Sequence, residues 1–279
     1  FTPKKIHAYL RAAIQLVFFL FLPSAFTTAF SGIKSVLTQI GAGNPIAWSS
    51  FLTVLLALCA YTIVFGRFFC GYACAFGTLG DAVHSLYLFL CKKCKKKPLL
   101  LKKSWKKPLS YVKYAVLLAV VLLCFLGVYG DLTGWSPWDV FSMLRSGNFK
   151  VGAYWLGCIL LVLILVGMVF CERFFCRFLC PMGAVFSLLP ILPFFSVRRK
   201  REKCAKGCTA CEKVCPSDLS LPEDGSWNVS GDCFQCQKCL EICPKKNAKS
   251  SIRNFRGNEI WFTVLRAVVL AAVLILAGI

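Results

Sequence analysis

Five long apolar stretches leave this chain little freedom of fold class. They cover residues 9–30, 46–65, 111–130, 153–170 and 260–279. A helix of about 20 apolar residues crosses a hydrocarbon core roughly 30 Å thick, so each stretch reads as a candidate membrane span. The first is interrupted by Pro23. With 58% hydrophobic and only 16% charged residues, the chain carries more apolar surface than one water-soluble globule of this size can bury; a soluble domain has about 25% charged residues. The same composition, with its 25 Phe, excludes a disordered chain. None of the stretches precedes a signal-peptide cleavage site. The expected fold is mostly α, built from polytopic membrane helices.

The net charge of +21 is concentrated. Lys92, Lys93, Lys95, Lys96, Lys97, Lys102, Lys103, Lys106 and Lys107 crowd one loop, and Arg198, Arg199, Lys200, Arg201 and Lys203 open another. Segments 31–45 and 131–150 carry few basic residues. The positive-inside rule places the basic loops in the cytoplasm. It places the N-terminus there too, with Lys4, Lys5 and Arg11, and the five spans then alternate consistently. The basic loops act first as a topology signal. A docking surface for an acidic redox partner or for anionic membrane lipid is the functional alternative. Nothing in the chain resembles a nucleic-acid-binding motif.

The sequence repeats internally. Arg67-Phe68-Phe69-Cys70 and the residues to Gly77 match Arg173-Phe174-Phe175-Cys176 and the residues to Gly183. Each copy follows a pair of spans and leads into an apolar stretch, 78–90 or 184–195, that is too short or too Pro-broken to span. Two similar hairpins with parallel topology, related by an axis along the membrane normal, are expected.

The 18 Cys carry the chemistry. A disulfide scaffold would be short and loop-rich, so Cys at this density in an apolar chain points to metal. Cys204, Cys208, Cys211 and Cys215 precede Pro216; Cys233, Cys236, Cys239 and Cys243 precede Pro244. The second set has the C-x2-C-x2-C-x3-C-P spacing of bacterial two-cluster ferredoxins, and the first has one extra residue, Gly207. In such motifs the fourth Cys ligates the other cluster. Cys204, Cys208, Cys211 and Cys243 are therefore assigned to one [4Fe–4S] cluster, and Cys233, Cys236, Cys239 and Cys215 to a second. A structural zinc site would not call for eight Cys in a duplicated pattern.

The repeat adds Cys70 and Cys74, and Cys176 and Cys180. On a helix, residues four apart share a face. If the copies face each other, these four thiols form a third metal or cluster site; redox dithiols or packing Cys are the alternatives. Cys91 and Cys94 supply only two ligands, and Cys59, Cys124, Cys158 and Cys171 read as packing residues. His7 and His84 are too few and badly placed for haem. Asp81 and His84 could together receive protons from a quinol, although an interfacial polar pair explains them as well. Trp48, Trp105, Trp135, Trp138 and Trp261 fit aromatic belts. Arg266 is expected to snorkel to the cytoplasmic face.

The apolar hairpins, the two Arg-Phe-Phe-Cys-x3-Cys copies and the double ferredoxin motif resemble the NapH/NosR/CcoG-type membrane polyferredoxins over nearly the whole chain. That family's copies usually read C-x3-C-P; here Cys180-Pro181 matches and Cys74-Ala75 departs. The resemblance implies electron transfer to an extracytoplasmic reductase or flavin domain. Some relatives carry an FMN-binding domain attached to the membrane core. The chain opens on Phe1 and stops in an apolar run at Ile279, so sequence is expected beyond both ends, with room for such a domain after Ile279.

The expected organisation has five parts. A first hairpin and C-x3-C copy cover 1–91, and a basic cytoplasmic loop covers 92–108. A second hairpin and copy cover 109–197. A ferredoxin-like, small α+β domain with two clusters covers 198–256, and a last span covers 257–279. The expected function is one-electron transfer in the cell membrane, between a cytoplasmic or quinol donor and an extracytoplasmic acceptor. The chain would be an oxidoreductase component rather than a self-contained enzyme, and quinone is an open partner. The alternative is an iron–sulfur redox sensor or a metalloenzyme maturation factor. A transporter ranks last, for want of buried ionisable residues marking a pathway.

Overall fold

The computed structural model describes residues 6–130, 136–145, 147–149, 152–192, 195–228, 230–252 and 258–279. Lys4, Lys5 and Trp135 lie outside the described residues. The chain is mainly helical, with one small sheet. The helices are α1 (Ile6–Phe21), α2 (Ala25–Gly41), α3 (Ser50–Phe65), α4 (Ala75–Lys93), α5 (Lys103–Leu109), α6 (Val112–Phe125), α7 (Pro137–Arg145), α8 (Trp155–Phe170), α9 (Pro181–Leu188), α10 (Ala210–Lys213), α11 (Lys238–Ile242) and α12 (Glu259–Leu276). The strands are β1 (Phe195–Lys200), β2 (Asp224–Trp227) and β3 (Lys249–Ile252).

Among the described residues, two helices are long and apolar enough to cross a membrane, Ser104–Phe125 and Glu259–Leu276. The first takes in all of α6 and most of α5. The expected single span over 9–30 is instead two helices, α1 and α2, bent by 62° at their junction. Pro23 stands in that junction, where it supplies no N–H and blocks helix continuation. Helices α3 and α8 are apolar but shorter, at 16 residues each. The apolar stretch 78–90, expected to be too short to span, lies within the 19-residue helix α4, which is not among the helices apolar enough to cross a membrane. Helix α4 ends in Lys92 and Lys93, which complement the negative end of the helix dipole.

The chain divides into two compact units. One comprises Phe1–Pro23, Ala57–Thr78 and Val185–Leu276. Here β1 is the central strand of an antiparallel sheet ordered β2-β1-β3. Beside it lies an apolar core of Val197, Cys211, Leu221, Leu240 and Ala248, with Cys239 and Cys243 packed against it. Arg266, expected to snorkel outward, is instead fully buried in this unit. Its guanidinium lies 4.9 Å from the Phe68 ring centroid and donates to Ser250 Oγ at 3.2 Å. The Tyr61 hydroxyl donates to the Arg266 carbonyl at 2.9 Å. The inward position follows from the aromatic face offered to a weakly hydrated cation.

The other unit comprises Ser24–Leu56, Leu79–Ala184 and Ala277–Ile279. Helix α2 packs on α6, with Gly41 so near that an added Cβ would meet the Phe125 carbonyl oxygen at 2.3 Å. Small residues permit this approach between apolar helices. Phe26, Phe30, Trp138 and Phe175 form a buried aromatic cluster beside it.

The sequence repeat is also a repeat of backbone. After α3 and after α8 the chain makes a five-residue π-turn, Phe69–Ala73 and Phe175–Leu179. Both turns are followed by an extended Cys, Cys74 (φ −69°, ψ 124°) and Cys180 (φ −74°, ψ 115°), and then a new helix. An extended residue is what Pro181 demands of its predecessor. Ala75 imposes no such demand, yet the first copy adopts the same turn. The first N–H of a helix has no intrahelical partner, so Pro and Ala both fit that position.

Candidate iron–sulfur centre

The first Cys loop is built by short local bonds. Cys204 N donates to Arg201 O at 2.9 Å and Cys208 N to Ala205 O at 3.1 Å. Gly207, the extra residue, has φ +68° with open space around the Cβ it lacks. It supplies a left-handed residue that lets the longer loop turn. Cys211 lies in the single-turn helix α10, and Cys215 follows with its N–H on Glu212 O at 3.2 Å. The second loop turns through two left-handed residues, Gln235 (φ 53°) and Gln237 (φ 61°), into α11, which carries Cys239. Helices α10 and α11 pack together. That contact brings the two motifs side by side.

Cys215 of the first motif lines one small cavity, about 30 Å³, with Cys233, Cys236 and Cys239 of the second. Cys211 reaches the same cavity. The complementary pair, Cys204 and Cys243, is joined by one residue. Asn247 donates from Nδ2 to Cys204 Sγ at 3.2 Å and from its backbone N–H to Cys243 Sγ at 3.2 Å. Cys211 Sγ accepts from Arg199 Nη1 at 3.0 Å. Val197 and Arg199 of β1 are buried while Arg198 and Lys200 are exposed, as strand alternation requires. The second guanidinium nitrogen of Arg199 donates to Leu221 O at 2.7 Å. Among the described residues, no three Cys, His, Asp or Glu side chains gather as ligands of one metal ion.

The donor set fits iron–sulfur chemistry. Burial pushes the Cys215 thiol up to about 11 and Cys233 up to about 12, with the neighbouring Cys236 raising each further. Cys239 is pushed well above the ordinary thiol range by burial and by four nearby cysteines. Buried thiolates in this proximity need a cation to stabilise them, and iron supplies that charge. Cys204, Cys208, Cys211 and Cys243 would hold one cluster and Cys233, Cys236, Cys239 and Cys215 the other.

Residues outside the Cys motifs hold the second loop. Arg11 of α1 donates from Nη1 to Cys236 O and to Glu241 Oε1, both at 2.8 Å. Gln15 donates to Gly71 O at 3.2 Å. A Cβ on Gly71 would stand 2.3 Å from Phe234 O, so the first copy of the repeat requires glycine where the second has Arg177. Arg67 is buried, with its guanidinium 4.7 Å from the Phe234 ring centroid and 3.6 Å from Asp232 Oδ1. The signal for these residues was present in the sequence: a lone Arg and a Gln in an apolar helix need polar partners.

Cys70 and Cys74 belong to one unit and Cys176 and Cys180 to the other. All four are buried. Cys180 Sγ accepts the N–H of Gly183 at 3.2 Å, which caps α9. Asp81 and His84 are both engaged, Asp81 by Arg173 and His84 through Nδ1 with the Val169 carbonyl at 2.9 Å.

Comparison with known proteins places these residues. The 4Fe-4S binding domain family matches residues 47–108 and 153–201, which take in both C-x3-C copies. The uncharacterized protein MJ0749 of Methanocaldococcus jannaschii is 32% identical over 69% of this chain and 68% of its own length. MJ0750 of the same organism is 30% identical over 84% of this chain and 90% of its own. The ferredoxin-type protein NapH of Haemophilus influenzae is 26% identical over 71% of this chain and 67% of its own. No solved structure matches the chain. With its duplicated Arg-Phe-Phe-Cys-x3-Cys turns and paired Cys loops, the chain belongs to the NapH/NosR type of ferredoxin-like electron-transport proteins.

Proposed function

We propose that this protein is a multi-pass membrane relay passing single electrons between a cytoplasmic or quinol donor and an extracytoplasmic acceptor. Two [4Fe–4S] clusters, held by the eight cysteines assigned above, occupy the segment 204–243 on the cytoplasmic side. The observation that carries this reading is the cavity Cys215 shares with Cys233, Cys236 and Cys239, because the fourth ligand in a two-cluster ferredoxin comes from the opposite motif. The basic loops support the orientation. Cys70, Cys74, Cys176 and Cys180 continue the relay from the ferredoxin segment; the family match over both copies supports that role. The acceptor is a partner reductase or a flavin domain carrying FMN. The chain's own residues bind and orient the clusters, and their chemistry is electron transfer alone.

The test is iron and acid-labile sulfide content of anaerobically purified protein, with low-temperature EPR after reduction. The expected content is about eight Fe from the ferredoxin segment. Iron above that level, lowered selectively by replacing Cys74 and Cys180 with Ser, would assign further ligands to the C-x3-C pairs. Full iron and an unchanged spectrum after Cys208→Ser would overturn the ligand assignment.

A further inference from the structure

Beside the first Cys loop lies an open basic groove of about 650 Å³. Its walls are Arg198, Lys200, Lys203, Lys245, Lys246 and Lys249, with Arg199 and Asn247 in its lining. Among the described residues, no Asp or Glu lines it. Arg199 of the lining lies 4.0 Å from Glu223. All five wall lysines and Arg198 are solvent-exposed. The groove also has a direct connection to the cysteines. Asn247 bonds Cys204 Sγ and Cys243 Sγ, and Arg199 bonds Cys211 Sγ. Three of the four ligands assigned to the first cluster are thus one side chain or one peptide group away from the groove.

We propose that this groove is the docking site for an acidic electron-carrier protein that exchanges electrons with the cluster of Cys204, Cys208, Cys211 and Cys243. The inference deepens the relay function proposed above and rests on it, by naming the chemistry of the soluble partner. Charge complementarity selects the occupant: a basic wall without carboxylates attracts an acidic surface, and steering by such a field raises association rates. The groove's concavity and its hydrogen-bonded link, through Asn247 and Arg199, to three ligand cysteines favour a protruding protein edge over a flat lipid surface. In the productive direction the docked carrier is oxidised by one electron and the cluster is reduced by one. No bond forms or breaks and no proton moves.

The test uses the cluster-loaded protein in phosphatidylcholine nanodiscs. Chemically reduced flavodoxin serves as the acidic carrier, and phosphatidylglycerol vesicles serve as the lipid probe. Binding is measured by titration and electron transfer by stopped-flow, at low and high salt. The triple variant Lys203→Glu, Lys245→Glu, Lys249→Glu should weaken flavodoxin binding and slow second-order reduction by about tenfold or more at low salt. The difference should shrink at high salt. Iron content and EPR should stay as in the parent protein. A second triple variant, Lys95→Glu, Lys96→Glu, Lys97→Glu, makes the same charge change elsewhere and should leave both largely intact. Equal losses in the two variants would overturn the proposal, since net charge alone would then explain them. So would unchanged flavodoxin binding in the groove variant, or a loss confined to vesicle binding, which would assign the groove to lipid. Loss of EPR signal in the groove variant is resolved by the neutral set Lys203→Gln, Lys245→Gln, Lys249→Gln, which should still weaken binding. Absence of iron–sulfur signals from the parent protein would instead defeat the relay reading, whatever the binding titration shows.

Discussion

Arg173 grips Asp81 with two nitrogens, Nε to Oδ1 at 3.0 Å and Nη2 to Oδ2 at 2.5 Å, and the arginine is wholly buried. Arg173 is the counterpart of Arg67 in the sequence repeat, and Arg67 also has an aspartate, Asp232, at 3.6 Å. The two aspartates come from unrelated positions. Duplication has therefore kept the cation in each copy, while the counter-charge is supplied from different parts of the chain.

Breaking the tighter pair should be costly. Asp81→Asn leaves a buried guanidinium without its charge partner, at a cost of about 3–5 kcal/mol. Asp232 is about half exposed, with a side-chain relative accessibility of 46%, so Asp232→Asn should cost about 1 kcal/mol or less. Thermal unfolding of the two variants in the same detergent checks the order. A larger loss in Asp232→Asn would contradict it.

Ligand exchange between the motifs gives a pairing that spectra can read. Cys215→Ser should abolish the same EPR signal as Cys236→Ser, and Cys243→Ser the same signal as Cys208→Ser. Iron should fall by about four per chain in each case. If Cys215→Ser grouped with Cys208→Ser, each motif would be holding its own cluster.

Asn247 joins the neighbourhoods of Cys204 and Cys243, through its side-chain amide to one sulfur and its backbone N–H to the other. Hydrogen bonds to ligand sulfurs help set cluster potentials by stabilising the more negative, reduced state. Asn247→Ala removes the bond to Cys204 Sγ and keeps the backbone bond to Cys243. A shift of one cluster to more negative potential, with the other unmoved, is expected in a redox titration followed by EPR.

Gly71 and Gly207 should respond differently to the same substitution. A Cβ at Gly71 would collide with Phe234 O at 2.3 Å, next to Cys233, and the backbone on both sides must shift. Gly71→Ala should cost about 1–3 kcal/mol and reduce occupancy of the Cys233 cluster. At Gly207 there is space, and only the positive φ opposes alanine, at about 1–2 kcal/mol. Its effect should be confined to the first loop. Iron content and EPR of both variants check this.

Much of this arrangement is legible in the sequence, for reasons that differ by element. The Cys loops were readable because ligand spacing is short-range and the chemistry of a cubane fixes it. The duplicated turns were readable as identities between two segments. Pro23 marked a break in the first apolar stretch, but nothing local gave its 62° bend. The apolar stretch 78–90 marks only the middle of α4, because helical backbone also takes in Ala75 to Gly77 and continues through Cys91 to Lys92 and Lys93. Arg266 was misjudged because its burial depends on Phe68 and Ser250, nearly 200 and 16 residues away in the chain. Asn247 and Arg199 have no motif of their own; only the fold of β1 and the second loop brings them to sulfur.

The buried arginines of the first unit have one more consequence. Arg67 and Arg266 are nearly inaccessible to solvent, and both act electrostatically on Cys233. A guanidinium keeps its charge at every physiological pH, unlike an imidazole. An electron arriving beside Cys233 would meet positive charge already in place, and the protein would have no need to take up a proton to balance it. The midpoint potential there should stay flat across the physiological pH range, so that mild acidification on one side of the membrane would leave the driving force of this step untouched.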